Sequence, residues 1–424
     1  MENSSDLSGR YVSHTEQITG RNNEAVQVTY ILIADQNGMI QRVTHLQDYL
    51  AAGIKRVSPF TSSAKTYAAF FTPMLNYCIY ECREKFGIYS PLQITRPMME
   101  QYFVEYASSP AANGLLRMPQ TVSQCITVNS FSMAQLVSRY GNEMTLKRED
   151  LLVSRQVYIP GRGRVFMEVP SFDISGGTLR AGMLRDISTE AFELLMGLAF
   201  QHAPDIAFGL CAQAFAGLRP GEVCNLRQDT SIYGPSVIYT ADISGARIPE
   251  LDLSKEYVMR SDNVYVGGIK KERIQKVYTD FIPAFNKAYD FHRNYLASQQ
   301  FEPDYAPMFV NQNGMAMTYD DYENRFYELV NDYFVPELLR SPPPLSDYGL
   351  LVKERGLAPH IGRHFYTLQL VKRELPPEMI KFWRGDRSIE SAMTYWASKG
   401  ELRDTARKLG CDFLDAVVKF GGMQ

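Results

Sequence analysis

The feature that most constrains this chain is a change of character at residues 155–187. Before it, from Ser62 to about Ser154, three successive segments carry apolar residues at helical spacing. They are SSAKTYAAFFTPMLNYCIYECREKFG, LQITRPMMEQYFVEYASS and TVSQCITVNSFSMAQLVSRYGN. This predicts a small all-helical domain of about four helices over 59–155. The following stretch, QVYIPGRGRVFMEVPSFDISGGTLRAGM, holds several Gly and two Pro and reads as an extended interdomain linker, 156–187. Helical periodicity then resumes behind a Ser188–Thr189 cap, with Glu190 in the first turn. A chain of 424 residues exceeds one compact core, so two or three domains are expected.

Around this frame the elements are mixed. The N-terminal segment, 1–58, is polar at first; VTYILIADQNGMI then reads as strand, Asn-Gly turn and continuation. Between Ser231 and Tyr278 the pattern turns β-like over PSVIYTADI, DNVYVGG and IKKERIQKVY. Helices return in AFNKAYDFHRNYLASQQ and DYENRFYELVNDYFVPELL, SPPPLSDYG reads as a surface loop, and the remainder is helical. The tail, 401–424, is amphipathic through Leu402, Ala406, Leu409, Phe413, Val417 and Val418, and would pack on its own domain or on a neighbouring protomer. The fold class is therefore mainly α with a small antiparallel β-sheet.

Composition excludes some partners and leaves others. The most apolar stretch, Ala191 to Leu218, is interrupted by Gln201, His202, Pro204, Asp205 and Gln213, so it does not read as a membrane span. The first residues carry no basic-then-apolar signal pattern, and a cytoplasmic location is expected. Six scattered cysteines without a CxxC pair read as reduced, structural thiols. A net charge of −3 weighs mildly against nucleic acid, but basic residues cluster locally. The clusters are Arg162 and Arg164; Lys270, Lys271, Arg273 and Lys276; Lys372, Arg373, Lys381, Arg384 and Arg387; and Arg403, Arg407 and Lys408. Among these, Arg162, Arg164, Arg273, Arg384 and Arg387 are candidate contacts to a phosphate backbone.

Three short segments carry the chemistry: GLRPGEVCNL with Arg219, APHIGRHFYT with His360 and Arg363, and GDRSIESAMTYW with Tyr395. Guanidinium groups stay charged at any working pH and clamp non-bridging phosphate oxygens. Glu222, one turn beyond Arg219, would orient or neutralise it. His360 and Arg363, three residues apart, would share a helix face. An imidazole with an ordinary pKa of about 6.5 can donate to phosphate, or take and return a phenol proton. His364, a quarter turn away, reads as structural. Two arginines beside a phenol favour its phenolate form, so Tyr395 is a candidate nucleophile on phosphorus. No P-loop and no acidic metal cluster accompany this set, which suits exchange without ATP or metal.

In order and spacing these segments resemble the three boxes of the tyrosine recombinases, the family of phage integrases, Xer-type resolvases and transposon integrases. The resemblance covers about residues 188–400 and implies a catalytic domain there. It implies a helical core DNA-binding domain before it, the two closing as a C-shaped clamp on duplex DNA, and an arm-binding or accessory role for the N-terminal segment. It further implies a 3′-phosphotyrosyl intermediate at Tyr395, four protomers on two specific sites, and no cofactor. In the family a hairpin lysine protonates the leaving 5′ oxygen. Lys271 or Lys270 in YVGGIKKERIQKVY takes that place, with Lys255 as an outsider, although 52 residues from Arg219 to Lys271 is longer than the family leads one to expect.

One position departs from the family pattern. Nine residues before Tyr395 a His or Trp is expected, and this chain has Asp386. An ionised carboxylate donates no hydrogen bond and repels phosphate. Trp383, Arg384 or Arg387 would then supply the donor, with Asp386 orienting an arginine or regulating cleavage. Competing readings are a type IB topoisomerase or telomere resolvase, which share the chemistry, and a non-catalytic DNA-binding protein with the same fold.

Overall fold

The computed structural model describes residues 9–112, 114–159, 163–176, 183–241 and 247–386. Among these, 9–18 and 26–176 belong to one compact unit, and 19–25 and 183–386 to a second. Among the described residues the architecture is mainly helical, with three small sheets of three, two and three strands.

In the first unit, β2 (Ala25–Ala34) and β3 (Ile40–Val43) pair antiparallel, as VTYILIADQNGMI predicts. The turn is closed by Asp35 Oδ1, which accepts from the Asn37 and Met39 amides at 2.9 Å, and Gly38 adopts a left-handed φ of 79°. A further strand, β1 (Arg10–Thr19), joins this sheet. Its polar sequence hides it, because only the inward Tyr11 and Gln17 are buried. The helices Ser62–Asn76, Arg96–Ser108 and Pro119–Tyr140 bury Phe71, Met74, Leu75, Met99, Phe103, Val122 and Ile126 in one core. Each such side chain contributes about 1.5–3 kcal/mol.

The segment read as an extended linker is in part a ribbon. β4 (Leu152–Ile159) and β5 (Gly163–Pro170) pair antiparallel from Leu152↔Pro170 to Ile159↔Gly163. Val, Tyr and Ile on one side of Pro-Gly-Arg and Val, Phe and Met on the other are a hairpin pattern that the Gly and Pro content obscures. Arg164 stands exposed on β5.

In the second unit, β6 (Val237–Ala241), β7 (Arg247–Leu253) and β8 (Arg273–Lys276) form an antiparallel sheet. Two of these strands were expected; DNVYVGG is a loop, and RIPELDL supplies the third strand by turning Leu251 and Leu253 into the core. The loop at SPPPLSDYG is shorter than expected, since a helix begins at Leu345. The helices Thr189–His202, Pro204–Ala216 and Ile361–Lys372 make the centre. Phe192 stacks on Phe365 with centroids 4.0 Å apart. A Cβ on Gly362 would meet Gln213 Cβ at 2.8 Å, so this glycine lets the second and third helices cross closely. Among the described residues no helix is long and apolar enough to cross a membrane. Cys78, Cys82, Cys125, Cys211 and Cys224 are free thiols, and burial pushes Cys78 and Cys125 up to about 12. Cys411 and the 401–424 tail lie outside the described residues.

Candidate active site

Arg219 is placed by the end of the helix Pro204–Ala216. Gly217 terminates it at a φ of 70°, and a Cβ there would meet the Tyr366 ring at 2.7 Å, so both backbone and space call for glycine. The chain then extends through Arg219 into the one-turn helix Pro220–Val223. Glu222 on that turn reaches back. Its Oε2 accepts the Arg219 amide and its Oε1 accepts Arg219 Nη1, each at 2.9 Å. Arg273, from β8, gives Nη1 and Nη2 to the same carboxylate at 3.0 and 2.9 Å. Burial pushes the Glu222 carboxyl upward, but the hydrogen bond from Arg273 and the charges of Arg273 and Arg219 outweigh it and hold it below the usual range.

His360 ends the loop before the helix Ile361–Lys372, and Arg363 lies in that helix's first turn. Arg363 is buried; its Nη1 donates to the Gly217 carbonyl and its Nη2 to Asp386 Oδ1 at 2.5 Å. Arg219 Nη2 donates to the same Oδ1 at 2.7 Å. Arg384 Nε stands 3.0 Å from the other oxygen, Oδ2, as an ion pair. Two carboxylates therefore face four guanidinium groups, those of Arg219, Arg273, Arg363 and Arg384, an excess of two positive charges. Burial, then the charges of Arg219 and Arg384, push Arg363 down to about 9 despite Asp386, which still leaves it charged at neutral pH. Burial, then the charges of Arg363, Lys270, Arg219 and Arg185, bring His360 down to about 4. The imidazole is thus neutral at pH 7, and in this cationic surrounding a weak base.

The lysine loop is anchored by backbone contact. A Cβ on Gly267 would meet the Gly221 carbonyl oxygen at 2.5 Å, so the YVGG segment lies directly on the turn that carries Arg219. Asn225 Nδ2 donates to Gly267 and Gly221 carbonyls at 2.7 and 2.9 Å, and Glu256 accepts from the Tyr265 hydroxyl at 2.7 Å and from the Ile269 amide. Lys270 is exposed, whereas Lys271 is half-buried with its Nζ 3.5 Å from the Asp386 carbonyl oxygen. Lys255 follows β7, away from this turn in sequence.

The helix Pro377–Arg384 is tied to β8, since Gln275 Nε2 donates to the Trp383 carbonyl at 2.7 Å. The Trp383 ring packs edge-on against Tyr278, centroids 5.0 Å apart, so its indole is engaged there. A cavity of about 500 Å³ opens beside the cluster, lined in part by Lys271, Arg273, Gln275, Lys381, Trp383 and Asp386.

Of the residues singled out in the sequence, Arg219, Lys271, His360, Arg363 and Asp386 come together, with Lys270 at the margin. Arg273 and Arg384, expected on a phosphate backbone, are instead largely buried and paired with Glu222 and Asp386. Arg164 belongs to the first unit. Arg162, Arg387 and Tyr395 lie outside the described residues. The Gly221–Gly267 contact and the Arg273–Glu222 pair had no local signal, because their partners are remote in sequence. Among the described residues no group of His, Cys, Asp or Glu is arranged to hold a metal ion.

No family model matches this sequence, and no curated protein matches it. Among solved structures, it is similar to the Tn1549 transposon integrase in complex with transposon right end DNA, at 14% identity over 82% of this chain and 94% of that one, with a TM-score of 0.47. The XerH site-specific recombinase bound to difH substrate is 12% identical over 80% and 77%, TM-score 0.47. XerA recombinase is 15% identical over 82% and 92%, TM-score 0.33.

Proposed function

We propose that this protein is a site-specific DNA recombinase that cleaves and rejoins duplex DNA through Tyr395. The observation that carries this reading is the convergence of Arg219 and Arg363 on one oxygen atom, Asp386 Oδ1, with His360 and Lys271 alongside. Two guanidinium donors on one oxygen, a neutral imidazole and an ammonium group form the electrostatic frame a phosphodiester displacement needs.

In this reading Arg219 and Arg363 hold the non-bridging oxygens of the scissile phosphate. The Tyr395 phenol oxygen attacks phosphorus as its proton passes to neutral His360. The bond from phosphorus to the 5′ oxygen breaks, and Lys271 gives that oxygen its proton. The product is a 3′-phosphotyrosyl link and a free 5′ hydroxyl. Attack of a 5′ hydroxyl on the link reverses each transfer, so the bond is conserved without ATP or metal. Arg164, with Arg162 and Arg387, contacts the DNA backbone. Residues 59–155 act as the core DNA-binding domain and 188–400 as the catalytic domain. Four protomers act on two sites in the cytoplasm, and the source is a mobile element.

The test is covalent trapping on a nicked suicide duplex. The full chain forms a protein–DNA adduct stable to denaturation, and Tyr395→Phe forms none. Recombinant products separate this function from a topoisomerase, which yields relaxed circles, and from a telomere resolvase, which yields hairpin ends. Asp386 on the two arginines favours one rival, a non-catalytic DNA-binding protein; DNA binding with no adduct at any substrate concentration would establish it.

A further inference from the structure

The Asp386 carboxylate sits where an oxyanion belongs. Its Oδ1 takes both Arg219 and Arg363, at 2.7 and 2.5 Å, and Arg384 is 3.0 Å from its Oδ2. The same residue's carbonyl oxygen lies 3.5 Å from Lys271 Nζ, and its amide donates to the Lys381 carbonyl at 3.2 Å. Guanidinium forks match carboxylate and phosphate oxygens with the same geometry, so one group can stand in for the other. The carboxylate is 6% exposed, and it arrives on a left-handed glycine turn, Gly385 at a φ of 65°, packed on Arg273 and Gln275. This is a built contact, with three cationic side chains around one anion.

We propose that Asp386 occupies the non-bridging oxygen position of the scissile phosphate, and that a phosphodiester reaches Arg219 and Arg363 only by displacing it. The inference rests on the recombinase reading for the identity of the phosphate, but the competition itself is a property of the oxyanion subsite. Charge explains its use. Without an anion between them, Arg219, Arg363 and Arg384 would repel one another in a largely buried space. The carboxylate keeps the guanidinium groups spaced until a phosphate takes over. It also makes the subsite discriminating, because a ligand must offer more than the single charge it displaces, namely further contacts along the DNA. Replacing Asp386 with a neutral residue therefore exposes an oxyanion site with one more positive charge.

The experiment uses the full chain and inorganic phosphate, read by calorimetric titration and by thermal denaturation. Asp386→Asn keeps the size of the side chain and removes its charge. Asp386→Asn is expected to bind phosphate at least about ten-fold more tightly than the wild type, and adding Arg219→Ala to it abolishes the gain. If Asp386→Asn is unstable in phosphate-free buffer, millimolar phosphate restores its melting temperature while barely moving that of the wild type. Equal or weaker phosphate binding by Asp386→Asn, or an unstable variant that phosphate does not rescue, overturns the proposal and makes Asp386 a positioning residue only. The suicide-duplex assay separates the two readings. A wild-type adduct without the phosphate effect defeats this inference alone. The phosphate effect without any wild-type adduct defeats the recombinase reading alone.

Discussion

Arg273 and Glu222 form a two-pronged ion pair, both Nη atoms of the arginine meeting the carboxylate at 3.0 and 2.9 Å, with Glu222 fully buried. The pair joins β8 to the turn after the helix Pro204–Ala216, and Glu222 in turn holds both the amide and the guanidinium of Arg219. Arg273 thus supports Arg219 through Glu222, and its Nη1 also donates to the Lys271 carbonyl at 2.8 Å.

Breaking a buried pair leaves its partner uncompensated. Arg273→Ala is expected to cost about 3 kcal/mol, toward the lower end for such pairs because Glu222 keeps Arg219. Denaturant unfolding measures this, and the melting temperature falls by roughly 6 °C or more. A shift within 1 °C would show that the pair carries little of the fold.

The two converging arginines should matter to rate more than to DNA affinity. Arg219→Lys and Arg363→Lys keep the charge but lose the fork, and each is expected to slow adduct formation on the suicide duplex by roughly 10²–10³. DNA binding measured by gel shift stays within a few-fold. Loss of binding in step with cleavage would assign these residues to anchoring instead.

Lys271 and Lys270 differ in placement, and a leaving-group test resolves them. Lys271→Ala is expected to slow cleavage by roughly 10²–10⁴, the range for a lost general acid. A substrate with sulfur at the bridging 5′ position leaves as a thiolate and needs no proton, so it restores the rate. Lys270→Ala, from the exposed side, slows cleavage less and shows no such rescue. Rescue of Lys270→Ala instead would move the acid by one residue.

Three histidines make stability depend on pH. Burial, opposed by hydrogen bonds to the Met308 and Pro204 backbone, brings His292 down to about 4; His360 also lies at about 4 and His364 at about 3, each chiefly through burial. These folded values lie below the unfolded value of about 6.5, so the unfolded chain binds more protons between the two. The contribution is complete above about pH 6.5 and is lost as the pH falls toward 4, at up to about 1.4 kcal/mol per pH unit for each histidine. Urea unfolding between pH 7 and 5 reads this slope, and His292→Phe should flatten it by roughly a third. An unchanged slope in that variant would mean that His292 takes up its proton over the same pH range in the folded and unfolded chain.

Much of this is readable from one sequence, for identifiable reasons. Helical spacing locates the helices over 62–140 and 189–216, because a buried face repeats with the helix period. VTYILIADQNGMI shows its own turn through the Asn-Gly pair and the flanking apolar residues. β1, the β4–β5 ribbon and β7 are not readable in this way. Their residues are polar or mixed, and each strand exists because a neighbour supplies its ladder.

By itself the sequence determines the order of Arg219, His360, Arg363 and Tyr395, and the presence of an acidic residue at 386. Only the tertiary structure decides what that acid does. Arg219 and Asp386 are 167 positions apart, and no local pattern says which of several charges meet, or how deeply. Burial settles it. In a space largely closed to water, three guanidinium groups need an anion, and Asp386 is the carboxylate the fold brings to Arg363 and Arg384.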